Sequence, residues 1–176
     1  MELLTEPPCD PFTWGEHPVV VIERASDLRK IKIELYPEAA PVTVSYFLTL
    51  VQQGFYDGLR FHRIVADFMI QGGDPLGTGD GETEYYVKGE FAENGVDNPL
   101  LHTHGTISMA RQEGCDTASC QFFITLRDTP ELDGHYAAFG RVVEGLDVVD
   151  GIGRVPADAY AVPMIPIIMN RVYING

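Results

Sequence analysis

Long apolar runs, basic residues and cysteines are all scarce in this chain, and each scarcity closes a route. No stretch approaches the ~20 consecutive apolar residues that a membrane-spanning helix needs. The opening MELLTEPPCDPFTW has neither the basic start nor the sustained apolar run of a secretion signal. Twelve Lys and Arg stand against 26 Asp and Glu, a formal charge of −14 that repels phosphate backbones and anionic lipid surfaces. Nucleic-acid and membrane partners are therefore not expected. Three cysteines, at 9, 115 and 120, are too few for a disulfide scaffold and cannot all pair within one chain. Free thiols in a reducing, cytoplasmic compartment are the expectation, with Cys115 and Cys120 close enough in sequence to bridge under oxidation.

What is present fits one domain: 176 residues, 45% of them hydrophobic, suffice for a single sizeable core. Residues 1–17, with Pro7, Pro8, Pro11 and Trp14, read as an N-terminal arm ahead of a domain spanning 18–176. Residues 18–35 read as two strands around a polar turn; in the second, Ile31, Ile33 and Leu35 alternate with Lys32 and Glu34. A helix follows, with Pro41 in its first turn, Val44, Phe47, Leu48 and Val51 on one face, and Gly54 as its stop. A second helix fits EGLDVVDGIG, where Leu146, Val149 and Ile152 share a face. LRFHRIV, FMIQG, GTISMA, CQFFITL, AAFGRVV and IIMNRVYI are short apolar-rich runs bounded by turn residues. About eight short strands, two helices and no regular βα alternation favour a mainly β fold, a closed antiparallel barrel capped by the helices. Residues 72–105 are long for a connection and are expected to wrap the functional face.

The chemistry concentrates in FHRIVADFMIQGGDP, residues 61–75. Side chains two apart share a strand face, which groups Phe61 with Arg63 and Val65, and Met69 with Gln71. In CQFFITL the same rule places Gln121 and Phe123 together, opposite Phe122 and Ile124, and the glutamine-bearing face is the wetter one. An arginine, two glutamines and a Phe/Met patch without a carboxylate would offer hydrogen bonds to a carbonyl and an apolar seat to a ring. On local pattern alone another reading stands beside it: Arg63 as a surface ion-pair partner, Phe123 as core and the glutamines as solvated strand residues. GDPLGTGDG lacks the Gly-Lys-Ser/Thr ending of a phosphate loop. His102 and His104 have no partners at metal-ligand spacing and read as hydrogen-bonded loop residues. Cys120 has no assignable base beside it.

Taken together, GFYDGLRFHRIVADFMIQGGDPLGTGDG, GTISMAR, SCQFFITL and LDGHYAAFGRVVEGLDVVD resemble the cyclophilin family of peptidyl-prolyl cis-trans isomerases, over nearly all of the chain except the arm. In detail, SMAR and LDGHYAAFG are similar to bacterial members. The resemblance implies an eight-stranded antiparallel barrel with two capping helices and isomerase activity on Xaa-Pro bonds, assisting protein folding. It implies Arg63, Phe68 and Gln71 as catalytic residues, with Met69, Ala110, Arg111, Gln121, Phe123, Leu132 and Tyr136 binding substrate. Arg111 stands where the better-known eukaryotic pattern has asparagine, Tyr136 where it has histidine and Glu131 where it often has tryptophan. Neither metal nor cofactor is called for. The partners implied are proline-containing peptides and unfolded or partly folded proteins, met by a monomer. Cyclosporin, bound in this groove by many members, is expected to bind weakly because Glu131 lacks the tryptophan's surface and N–H. A proline-binding module with the same groove but little catalysis is the alternative, and Arg63 argues against it.

Overall fold

The computed structural model describes all 176 residues. Ten strands form: β1 (Glu2–Leu4), β2 (Val19–Arg24), β3 (Lys30–Leu35), β4 (Arg63–Val65), β5 (Met69–Gly72), β6 (Tyr85–Val87), β7 (Thr106–Met109), β8 (Phe122–Thr125), β9 (Ala138–Glu144) and β10 (Met169–Ile174). Two α-helices accompany them, α1 (Pro41–Gln52) and α2 (Leu146–Gly153). Eight of the strands make one antiparallel sheet in the order β10-β2-β3-β9-β7-β8-β5-β4.

The alternation in β3 appears as expected: Ile31, Ile33 and Leu35 are buried and face the core, whereas Lys32 and Glu34 are half-exposed. Phe47 of α1 is the hub of that core, packing its ring against Tyr56, Phe122 and Phe139 at centroid distances of 5.1 to 5.7 Å. Helix α1 starts at Pro41, but Ala40 offers no side-chain cap. The cap comes from far along the chain: the buried Glu90 carboxylate accepts the amides of Val42 and Thr43 at 3.0 and 2.9 Å and the Thr43 hydroxyl at 2.6 Å. Unsatisfied first-turn N–H groups need such a partner wherever water is excluded.

Two expectations are corrected. The sheet is an open half-barrel rather than a closed barrel. Its outer strands β4 and β10 are not paired as strands; residues 58–61 meet the start of β10 at one isolated bridge, Arg60 to Ile168, where Gly58 N–H donates to Met169 O, Met169 N–H to Leu59 O and Phe61 N–H to Ile167 O. The physical reason lies just before β10, where Pro163 and Pro166 lack the N–H a ladder requires; the amide of Ile64 in β4 instead donates to Ala161 O. Phe61 does not share a face with Arg63 either. It is 1% exposed and packs edge-on against Phe122 at 6.1 Å, because regular strand geometry begins only at Arg63.

The arm is part of the structure. Its strand β1 pairs in parallel with β6, from Glu2 beside Tyr85 to Leu4 beside Val87. Farther along, the Cys9 amide donates to the Ser45 hydroxyl of α1 at 2.9 Å, and that hydroxyl donates to Cys9 O. The three cysteines are free, and burial pushes the Cys120 thiol up to about 12.

Candidate active site

Strand pairing alone assembles the centre of the site. Arg63 lies opposite Gln71, Gln71 opposite Phe123, and Phe123 opposite Ser108, so four adjacent strands present these side chains in one row. Val65 opposite Met69 adds the next step. On β8 the alternation reads as expected, with Phe122 and Ile124 in the core and Gln121 and Phe123 on the site's face. Arg63, Phe68, Met69, Gln71, Ala110, Arg111, Phe123, Leu132 and Tyr136 line a single cavity of about 150 Å3. Ligand sites for drug-sized molecules run to ~300–1,000 Å3, so this one has room for a single small ring. Gln121 stands behind it, on a neighbouring polar cavity shared with Gln71, Ala110 and Arg111.

The apolar seat is held from both sides. The Phe123 ring stacks on the buried His102 imidazole, with centroids 6.1 Å apart and planes 13° apart, and meets the edge of Tyr136 at 5.7 Å. His102 cannot rotate, because one ring nitrogen lies 2.9 Å from the Asp133 carboxylate and the other 2.9 Å from the Ser108 hydroxyl. Burial holds its pKa below the usual histidine value despite the Asp133 charge. This supporting role is absent from a local reading of HTH, since its partners lie 31 and 6 residues away. His104 is likewise committed, 2.7 Å from Asp150.

The polar side is a relay. Gln121 Nε2 donates to Gly79 O and Gly81 O at 2.9 and 3.0 Å, which fixes its oxygen toward Gln71. Gln71 Nε2 donates to that oxygen at 2.9 Å, which in turn points Gln71 Oε1 at Arg63, whose Nη1 donates to it at 3.4 Å. The loop that accepts the relay is tied by Asp74, whose carboxylate takes the amides of Leu76 and Thr78 at 2.7 and 3.1 Å and that of Gly79. Gly81 passes so close that a Cβ there would stand 1.7 Å from Asp74 Oδ1. Arg63 itself is exposed and has no carboxylate within ion-pair distance.

Arg111 and Glu131 are both committed elsewhere. Arg111 Nε and Nη2 donate to His135 O at 3.0 and 2.8 Å, and its guanidinium lies 4.8 Å from the Tyr136 ring centroid. These bonds hold it in place as part of the cavity wall. Glu131, exposed, pairs with Arg127 at 2.9 Å, and Arg127 covers the Phe68 ring at 5.7 Å. Its own backbone amide, then Arg127, hold the Glu131 carboxyl below its usual range. Its neighbour Leu132 reaches the cavity; Glu131 does not.

A preformed groove with an unpaired cation beside a ring-sized apolar seat, on an eight-stranded antiparallel sheet with two helices, defines a cyclophilin-type domain. The family profile described as "Cyclophilin type peptidyl-prolyl cis-trans isomerase/CLD" matches residues 19–174, and the chain belongs to this family. It is a peptidyl-prolyl cis-trans isomerase. A peptidyl-prolyl cis-trans isomerase of Schizosaccharomyces pombe is 46% identical over 146 residues, 83% of this chain and 93% of that protein. One from Helicobacter pylori is 47% identical over 124 residues, 69% of this chain and 74% of its own length. The fungal and bacterial relatives thus match at nearly the same identity, the fungal one over the longer stretch. A crystal structure of a Cryptosporidium parvum cyclophilin-type isomerase superposes with a TM-score of 0.83 at 30% identity, covering 91% of this chain and 98% of its own. A second structure of that protein, determined in the presence of the dipeptide Ala-Pro, gives a TM-score of 0.82 at 31% identity and covers 90% and 99%.

Proposed function

We propose that the row Arg63, Gln71 and Phe123 catalyses rotation about Xaa-Pro bonds of peptides and of unfolded or partly folded proteins by electrostatic stabilisation of the twisted imide. The bond is stiff because the nitrogen lone pair is delocalised into the carbonyl, with a barrier of ~18–20 kcal/mol. Unaided, an Xaa-Pro bond turns in ~10–100 s. Any group that favours a localised lone pair lowers that barrier.

Phe123, Met69, Leu132 and Phe68 seat the proline ring. Met69 and Phe123 are buried before a substrate arrives, so little side-chain freedom remains to be lost on binding. Arg63 then faces the prolyl carbonyl and the imide nitrogen. Its donors hold the carbonyl and, as the nitrogen pyramidalises, stabilise its lone pair. Gln71, oriented through Gln121 and the Gly79 and Gly81 carbonyls, steadies the guanidinium and the substrate backbone. The path contains no covalent bond to the enzyme and no proton transfer. The twisted form is bound best, and the donors are in place beforehand.

The observation that carries this reading is the guanidinium with no acidic partner beside the proline-sized seat. Arg60, Arg141, Arg154 and Arg171 also lack an ion pair; what sets Arg63 apart is that its free guanidinium lines the proline-sized seat. Turnover of a short Xaa-Pro-Phe peptide, read through a protease that cleaves only the trans form, tests it. Peptide binding without turnover would favour a proline-binding module.

A further inference from the structure

The segment between α2 and β10 displays apolar side chains that nothing in the chain covers. Tyr160 is 85% exposed, Met164 66% and Ile165 65%, with Val162 also in solvent. Lone exposed apolar residues are ordinary, but four in the six residues from Tyr160 to Ile165 form a patch that calls for a partner. The display is tied down. Asp158 N–H donates to Val162 O at 2.9 Å, Met164 N–H donates to Pro156 O at 2.8 Å, and Asp158 Oδ1 accepts the amides of Tyr160 and Val162. Prolines 156, 163 and 166 fix the backbone at three further points. A hairpin so constrained loses little entropy when a ligand lands on it.

Its position indicates the occupant. Ile64 N–H donates to Ala161 O at 2.8 Å, so the hairpin lies one strand spacing outside β4, the strand that begins with Arg63. Between the hairpin and the β4–β5 turn runs a groove of about 590 Å3 whose floor is apolar, with Ile64, Val65 and Val155, and whose edges carry Asp67, Arg154 and Asp158; the exposed side chains of the hairpin stand beside it rather than in its lining. We propose that this groove and hairpin continue the proline site as a docking surface for apolar stretches flanking proline in unfolded polypeptide. The proline cavity seats one ring, so a longer substrate must cross its rim, and on this side the ground beyond the rim offers the hairpin's exposed apolar side chains. An unfolded chain exposes the side chains that suit this surface, whereas a folded client has buried them. The charge of −14 further selects against acidic stretches.

The proposal rests on the isomerase reading of the groove, and two substrates separate the two. One is the tetrapeptide Ala-Ala-Pro-Phe; the other is a twelve-residue peptide with the same core flanked by leucine and isoleucine. The triple variant Tyr160→Ser, Met164→Ser, Ile165→Ser, checked for folding by circular dichroism and paired with the single variant Met164→Arg, alters only exposed positions. The triple variant is expected to process the tetrapeptide within about twofold of the native rate. On the long peptide it should lose on the order of tenfold in kcat/KM, mostly through KM, the factor that 1.4 kcal/mol represents. Met164→Arg should show a smaller loss of the same kind. Unchanged kcat/KM on the long peptide overturns the docking surface while the isomerase reading stands. Failure of the native protein on the tetrapeptide brings down both. If the native protein sediments as a dimer and the triple variant as a monomer, the patch is a contact between copies and the proposal falls.

Discussion

Replacing Arg63 with alanine separates catalysis from folding with little interference between them. The side chain is exposed, its one internal hydrogen bond is the 3.4 Å contact to Gln71, and no carboxylate depends on it. Its removal strands no buried charge, so stability should change by no more than about 0.5 kcal/mol, as at ordinary surface positions. The effect on rate is of another order. Deleting one preorganised donor at a developing charge costs about 10² to 10³, or roughly 2.7–4 kcal/mol. Arg63→Lys keeps the charge but loses the planar fork that spans carbonyl and nitrogen together. A unit charge at 4 Å is worth between ~1 kcal/mol in water and ~4 kcal/mol at an effective dielectric constant of 20. In so open a groove lysine should recover only about tenfold over alanine. Gln71→Leu removes the 2.9 Å bond to Gln121, a cost in stability, and the long 3.4 Å bond to Arg63, which is worth at most about 1 kcal/mol and should cost no more than about fivefold in rate. The assay is kcat/KM on the tetrapeptide, with circular dichroism and urea unfolding alongside. A folded Arg63→Ala variant within threefold of the native rate refutes the mechanism. If Gln71→Leu falls as far as Arg63→Ala, the catalytic weight lies in the amide relay instead.

Glu131→Trp should tighten cyclosporin inhibition by about 30- to 1000-fold, the equivalent of roughly 2–4 kcal/mol for a restored N–H donor and the added ring surface; inhibition titrations of both proteins decide it, and equal affinities would remove Glu131 from the argument. The kcat/KM profile should be flat from about pH 6.5 to 8.5, since burial keeps His62 and His102 neutral there and no titrating group takes part in the proposed path; a bell-shaped profile centred in that range would require an acid or base in the mechanism. Both histidines have folded pKa values below the ~6.5 of an unfolded chain, so the unfolded state takes up protons first and stability is lost as pH falls from about 6.5 toward those lower values. Neither His62 ring nitrogen has a protein partner, so His62→Leu should show a smaller drop in urea midpoint between pH 7 and 5.5 than the native protein; an equal drop would clear His62 of that role. Glu90→Ala strands two amides and a hydroxyl at the buried start of α1 and should cost about 2–4 kcal/mol in urea unfolding; a cost under about 0.5 kcal/mol would mean that water replaces the cap.

Where sequence and structure agree, a local period was at work. Helix α1 begins at Pro41 as its apolar spacing indicates, and α2 runs to Gly153. The division of β8 into a core face and a site face follows from two-residue alternation alone. Of the nine residues that line the cavity, Arg63, Met69, Gln71 and Phe123 carry a local signal in their strand alternation; Phe68, Ala110, Arg111, Leu132 and Tyr136 lie outside regular strands and are reached only through the family motifs. Phe61 broke the rule because alternation holds only inside a regular strand, and β4 starts two residues later. The pairing of β1 with β6 was invisible for a related reason: two three-residue strands more than 80 positions apart leave no pattern in either segment. His102 behind Phe123 and Glu90 at α1 leave no local signal either, since each acts on a distant group. Closure of the barrel was inferred from strand number, whereas the prolines ahead of β10 are what interrupt the seam.

The reach of Glu90 from the 72–105 segment to α1 also bears on how the site opens. The same segment supplies the Gly79 and Gly81 carbonyls that end the amide relay, and Val87 within it donates to Ala118 O, beside Ser119 of the polar cavity. Swinging this segment away far enough to move Glu90 would uncap the first turn of the helix, so wall and helix form one cooperative unit. Amide protons of Val42 and Thr43 then report on the wall: their exchange with deuterated solvent should slow or quicken together with that of Val87. Joint exchange of these amides would mark the wall as a preformed socket, with no lid in this segment for a proline-bearing chain to displace.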